Sequence, residues 1–381
     1  MLIDQRAVSP VPQSELLRQR ELRFPNEMKV TSQMVAIGSH AAADVATFLD
    51  GTQNPSPDQF DPVKITMDNL AAASLEHGLL IGTDYVVDSK LSEGKKDEEK
   101  TGIHVKTVIG RFHRGMRLRL DSPIPFDATE GVSIVNDPVE QTDSAMAVLS
   151  HGWDSEEAQG AAVVLGVTKH GSVREVPEGI KYMEKFMGPK ELRGKVDIRM
   201  DTRERIFTAA QVLGVKPDQI DVVGLNRDRH SQLIEEVKET TASWIGIQRG
   251  DFLPGIKAII GKPYMRDGKP RYLLSMGAGG YEEGVADAIA AVPLGFFQGR
   301  VYHEKPEVME RFGGKVLEAR DLVGENPREN MVVYSSITRD PWLGNPGILR
   351  GQDQMTVYSN VISHRGEQRY AYQIPLVRIQ A

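Results

Sequence analysis

The sequence predicts a mixed α/β fold, and three observations carry that prediction. Short apolar runs rich in β-branched residues, at 161–167, 220–225 and 331–336, read as buried strands. Segments of helical period alternate with them, at 202–213, 231–241 and 282–291. The chain has 381 residues, enough for two domains or one large two-part sandwich at roughly 100–200 residues per domain.

In chain order, residues 1–30 carry Pro10, Pro12 and Pro25 among charges and read as an extended arm with a short helix over 14–21. Such an arm is either a tail or a segment that docks on a neighbouring subunit. A helix is expected over 32–49, from the spacing of Met34, Val35, Ile37, Ala41, Val45 and Phe48. A loop at 51–57 and a helix at 68–77 lead to a buried strand at 78–82. Residues 88–101 form a charged loop, with strands following at 103–109 and 116–120. A long acidic loop over 121–143 precedes an apolar strand at 145–149. A strand at 271–276 feeds a glycine run and then a helix. The units are an arm (1–30), a first α/β half (31–150), a second α/β half (151–345) and C-terminal strands or tail (346–381).

Composition narrows the chemistry. There is no cysteine, which excludes disulfides, thiolate metal sites and cysteine nucleophiles. With only 9 histidines, a bound metal is expected on oxygen ligands, as Mg²⁺ or Mn²⁺ prefer. A net charge of −7 argues against non-specific nucleic-acid binding. No run approaches the roughly 20 apolar residues of a membrane span, and the first twenty residues lack a signal-peptide core, so the cytoplasm is the expected location.

Four local patterns are candidates for chemistry. Gly277-Ala-Gly-Gly-Tyr-Glu-Glu-Gly-Val285 lies between a strand and a helix, where glycines admit a ligand and a helix N-terminus attracts anions. Its spacing is not a nucleotide fingerprint, because Glu282 stands where the last glycine would be, and by spacing alone a structural turn is the better reading. Asp127-Ala-Thr-Glu130 places two carboxylates on one turn, where they can share a divalent cation, and Asp137-Pro-Val-Glu140 is a rival pair. Arg227-Asp-Arg-His230 follows a strand and suits a phosphate, or is a solvated basic turn. Lys181-Tyr-Met-Glu-Lys185 suits a sugar phosphate, or is an ordinary helix face.

Together, in this order, these patterns resemble class II fructose-1,6-bisphosphatase, a member of the lithium-sensitive phosphatase superfamily. The resemblance runs over about 140–345, through Ala145-Met-Ala-Val-Leu149, Tyr182-Met-Glu-Lys185, Arg227-Asp-Arg-His230, Arg249-Gly-Asp251, Gly279-Gly-Tyr-Glu-Glu-Gly-Val285 and Ser336-Ile-Thr-Arg-Asp340. It implies a layered α-β-α-β-α sandwich and hydrolysis of a sugar bisphosphate monoester with Mg²⁺ or Mn²⁺, in a homo-oligomer. It places a metal ligand on Glu283, substrate contacts on Tyr182, Lys185, Arg227, Arg229, His230, Asp251, Gly279 and Gly280, and a metal-binding, catalytic pair on Asp127 and Glu130.

The first half departs from the family pattern. Val132 replaces the threonine of the family's D-P-I-E-G-T turn, and Asp121 competes with Asp127 for its first aspartate. Asp137-Pro-Val-Glu140-Gln-Thr142 is closer in letters but is expected to lie too near the 145–149 strand. The family's G-E-G-E segment is Gly82-Thr-Asp-Tyr85, leaving Asp84 as the nearby carboxylate, and Val63-Lys-Ile-Thr-Met-Asp68 lacks the first aspartate of D-K-x-x-x-D. Two alternatives follow: isomerase- or aldolase-type proton chemistry through His230 and Lys185, or a non-catalytic sugar-phosphate-binding protein.

Overall fold

A computed structural model describes residues 24, 26–51, 80–86, 107–108, 131–169, 172–174, 182–302 and 315–375. The expected helices at 14–21 and 68–77, the charged loop at 88–101 and the strand at 116–120 lie outside these residues.

The first helix, α1, spans Glu27–Gly51 and is longer than its apolar spacing suggested. Asn26 caps it, accepting from the Met28 amide at 3.0 Å. Strands β1 (Leu80–Val86), β2 (Thr107–Val108) and β3 (Gly131–Glu140) follow. Helix α2 is Thr142–His151 and strand β4 is Ala162–Lys169. Then come β5 (Tyr182–Pro189), α3 (Thr202–Leu213), β6 (Ile220–Leu225), α4 (Ser231–Lys238), β7 (Ser243–Ile247) and α5 (Phe252–Ile260). The hairpin β8 (Tyr264–Arg266) and β9 (Lys269–Gly280) leads to α6 (Tyr281–Leu294) and β10 (Gly295–Tyr302). The chain continues through β11 (Val316–Glu318), α7 (Ala319–Leu322), β12 (Met331–Ser336), β13 (Leu349–Arg350), β14 (Gln354–Ser363) and β15 (Gly366–Pro375).

These elements form two sheets. One has the order β13-β14-β12-β4-β3-β1-β2, with β15 paired to β14; the other has the order β11-β10-β5-β9-β6-β7, with β8 paired to β9. Pairing is antiparallel except for β1–β3, β6–β7 and β6–β9. Helix α1 packs its Met34, Ile37, Ala41 and Val45 on the outer face of the first sheet. Gly38 lets it approach β12: a Cβ there would lie 2.6 Å from Ser335 Oγ. Helices α5 and α6 fill the space between the sheets, with Val285, Ile289 and Ile256 meeting Val164 of one and Met183 and Met187 of the other. Helices α3 and α4 cover the far face of the second sheet around Phe186, Ile206 and Val222. The layering is α-β-α-β-α, as the resemblance implied.

Helix α6 is buried from Gly284 to Val292, a run that is apolar but for Asp287. Two of its last carbonyls are satisfied from outside: Arg193 donates to Ala291 at 2.6 Å and to Val292 at 2.9 Å, and also to Gly295, just past the helix, at 2.6 Å.

Four expectations are corrected. Residues 131–140 are a ten-residue strand inside the span expected to be a loop. Its apolar residues are buried on both faces, Val132 and Ile134 in the outer core and Val135 in the middle one, which removes the alternation a half-exposed strand would show. Residues 145–149 belong to helix α2; the run Ala-Met-Ala-Val-Leu is mostly strong helix formers. Residues 182–185 are strand, with Met183, Lys185 and Met187 on one face and Phe186 on the other. The glycine run, too, is the end of β9, so strand leads straight into helix α6.

Candidate active site

The site is built where β5 and β9 meet the N-terminus of α6. Register pairs Tyr182 with Gly280 and Lys185 with Gly277. Lys185 is 1% exposed, and its ammonium lies 3.0 Å from Asp287 Oδ2, 3.1 Å from Asp251 Oδ2 and 3.7 Å from Glu283 Oε2. Glu283 also accepts from the Gly280 amide at 3.1 Å, which caps the first turn of α6. Gly279 closes one wall: a Cβ there would stand 2.8 Å from Glu283 Oε2 and 3.1 Å from both Asp251 Oδ2 and Lys185 Nζ.

The cluster holds three carboxylates around one ammonium, and the charges divide accordingly. Burial alone would lower the pKa of Lys185, but Asp251, Asp287 and Glu283 outweigh it and hold the amine well above its usual value. Burial would raise Asp251, yet the Lys185 charge and hydrogen bond keep it below the ordinary carboxylate range. Asp287 is pushed up to about 7 by burial, with Lys185 opposing and the Asp251 charge adding to the rise.

Beside the cluster, the turn after β6 is pinned to β9. Arg229 donates Nε and Nη2 to the Ala278 carbonyl at 3.1 and 2.8 Å. Buried His230 donates from Nδ1 to the Leu225 carbonyl at 2.7 Å and accepts the Ala278 amide on Nε2 at 2.8 Å. Burial lowers its pKa, and the adjacent Arg229 charge adds to this, so the ring is neutral. Arg227 opens the same turn as its N-terminal flank. A cleft of about 400 Å³ lies on the far side of the second sheet, lined by Arg229, Arg205, Arg300 and Glu184.

The first half reaches this cluster through the turn that ends β3. Gln141 takes a left-handed conformation (φ 58°, ψ 55°), which glycine adopts most easily, and it stands where the resembled D-P-I-E-G-T turn has its glycine. Its side chain lies over Gly160 and Gly250, and Gly250 adjoins Asp251. Asp143, just beyond, pairs with Arg249 at 3.6 Å. Glu140, at the end of β3, is buried. The objection that this turn lies too near a strand at 145–149 falls, because those residues are helical. Asp121, Asp127 and Glu130 lie outside the described residues, and Asp84 is placed only by its backbone in β1.

The chain matches the family model described as "Bacterial fructose-1,6-bisphosphatase, glpX-encoded" over residues 92–372. It belongs to that family. Curated relatives agree. The chain is 31% identical over 213 residues to D-fructose 1,6-bisphosphatase class 2/sedoheptulose 1,7-bisphosphatase of Synechococcus sp. (strain CC9902), covering 55% of this chain and 58% of the relative. It is 29% identical over 238 residues to the protein of the same name from Prochlorococcus marinus (strain MIT 9303), covering 61% and 66%. A third of that name, from Nostoc sp. (strain PCC 7120 / SAG 25.82 / UTEX 2576), is 28% identical over 248 residues, covering 65% and 63%. The chain thus spans less than two thirds of the length of these relatives.

Within the family frame, Lys185, Arg229, His230, Asp251, Gly279, Gly280 and Glu283 come together. The strand Tyr182–Pro189 brings Tyr182 to the same edge by its backbone. Asp287 was missed. It was legible as the one charge in the apolar run from Val285 to Leu294, four residues beyond Glu283 and so on the same face of α6. Metal dependence is general in this family. Among the described residues no group of three or more His, Asp or Glu side chains is set to hold a metal ion; the three carboxylates converge on Lys185. Also among them, no helix is long and apolar enough to cross a membrane.

Proposed function

We propose that this chain hydrolyses a phosphate monoester of a sugar bisphosphate, the activity its family's name describes. The observation that carries this is the joining of Arg229, the glycine end of β9 and the Lys185–Asp251–Glu283 cluster at one helix N-terminus. The amides at the start of α6 and the nearby guanidinium suit a phosphate ester. Three carboxylates around one ammonium leave surplus negative charge, which repels that ester. A Mg²⁺ or Mn²⁺ ion would neutralise the surplus and acidify water. Glu283, with its side chain 29% exposed, is the described carboxylate open enough to meet such an ion. The described residues do not complete a cage for it. Glu140, which ends β3 beside the Gln141 turn, and Asp137, earlier in the same strand, are the first-half acids we favour over Asp127 and Glu130.

Proton chemistry of the isomerase or aldolase kind is the weaker reading. Both ring nitrogens of His230 are spent on main-chain groups. A Schiff base needs a neutral amine, and Lys185 is held charged.

The test is phosphate release from fructose 1,6-bisphosphate with Mg²⁺ or Mn²⁺. Glu283→Gln should lose turnover by at least about 100-fold with an unchanged fold. Arg229→Ala should raise KM about tenfold with a smaller change in kcat, the loss of one charged hydrogen-bonding partner. Normal kinetics in both variants, or sugar turnover with no phosphate released, would overturn the assignment.

A further inference from the structure

We infer that Asp287 is a positioning residue: it holds the Lys185 ammonium back from Glu283 so that the Glu283 carboxylate keeps its place on the Gly280 amide at the mouth of the site. The inference rests on the phosphatase reading for its kinetic consequence and on geometry alone for its structural one.

Asp287 is fully buried, so it cannot touch a substrate. Its Oδ2 accepts from Lys185 at 3.0 Å, the shortest of the three carboxylate distances to that amine. Its Oδ1 is buried with no hydrogen-bond partner and sits where a Cβ on Gly255 would be 3.2 Å away. A buried carboxylate with one oxygen unsatisfied is a costly way to fill a helix–helix contact, and well-packed apolar residues usually do so at lower cost. The one gain visible is control of the amine. Asp287 and Glu283 are four residues apart on α6 and both face Lys185. Asp287 pulls from the buried side, Asp251 holds the amine at 3.1 Å, and Glu283 pulls from the open side. The amine rests 0.7 Å closer to Asp287, and Glu283 keeps its bond to the Gly280 amide. Without the inner carboxylate, Lys185 swings outward into direct ion-pair contact with Glu283. That pairing competes with the Gly280 amide and with any cation or proton Glu283 serves.

Asp287→Asn keeps the shape and removes the charge the carboxyl carries above about pH 7, so the variant and its parent are compared at about pH 8 or higher. Its crystal structure should show the Lys185 Nζ to Glu283 Oε2 separation closing from 3.7 Å to contact ion-pair distance, about 2.8 Å. Phosphate release from fructose 1,6-bisphosphate should lose about tenfold in kcat, with KM within about twofold, as a misplaced group costs rate more than binding. Adding Asp287→Asn to Lys185→Met should slow the enzyme no further, because Asp287 acts through that amine. A merely structural role predicts instead that the two losses multiply. An unchanged separation, or a kcat within about twofold of the parent in folded protein, overturns the inference. If Asp287→Asn does not fold, Asp287→Glu replaces it: the longer carboxylate keeps the pair but pushes the amine outward, and an unchanged separation there is equally fatal. A parent protein that releases no phosphate defeats the phosphatase reading, while the separation in the variant still decides this one.

Discussion

At the scale of single residues, His230 shows how burial fixes a role. Its neutral tautomer is specified by two main-chain partners, a carbonyl on Nδ1 and an amide on Nε2. Protonating Nε2 would set an N–H against the Ala278 N–H. Burial lowers the pKa in the folded state, so the unfolded chain binds the proton more readily. The stability this residue contributes is full above the unfolded value of about 6.5 and is lost as pH falls below it. The melting temperature of the wild type should therefore drop between about pH 7 and pH 5 by more than that of His230→Gln, which has no proton to gain. Parallel curves for the two proteins would show that His230 is not the group responsible. Lys185 has the opposite sign. Its raised pKa gives stability that is present below about 10.5 and lost as pH climbs above it. Lys185→Met strands three carboxylates, two of them deeply buried, and should cost about 3–5 kcal/mol by denaturant unfolding.

At the scale of elements, the junction of β9 and α6 carries the site, and what the sequence revealed there was uneven. The elements 202–213, 220–225 and 331–336 were legible to the residue, because each has one clear apolar period and a clean stop. Strand β5 was not, since Lys185 breaks its apolar face and only the three carboxylates on the helices packed against that face explain the charge. Strand β3 was hidden because both its faces are covered. The glycine run was readable as a place of close approach but not as strand. Gly279 needs no side chain because the cluster itself fills that space. Gly279→Ala should push its Cβ against Glu283, Asp251 and Lys185, costing about 1–3 kcal/mol of stability and most of the activity. Denaturant unfolding and phosphate release measure the two effects, and a variant normal in both would mean the cluster is looser than its distances indicate.

At the scale of the molecule, a turn near residue 141 comes to lie against the loop that carries Asp251. The five-layer stacking does it: β3 lies in the first sheet, α5 and α6 lie between the sheets, and the β3 turn ends against the loop that begins α5. Nothing in local sequence states that contact, which joins segments over a hundred residues apart. The residue types on either side of it do record it afterwards. Gly250 has φ 59°, and a Cβ on it would run into the Gln141 side chain. Gly250→Ala should then impose two costs, left-handed strain of about 1–2 kcal/mol and an overlap worth about 1–3 kcal/mol, and it should displace neighbouring Asp251. Gln141→Gly removes the overlapping side chain and relieves the left-handed strain at its own position, φ 58°. Combined with Gly250→Ala, it should restore the overlap part and leave the strain at 250. A double-mutant cycle on unfolding free energy would show that as a coupling of about 1 kcal/mol or more. Strict additivity would mean that the two halves do not meet at this turn, and Asp137 and Glu140 would lose their claim to the site.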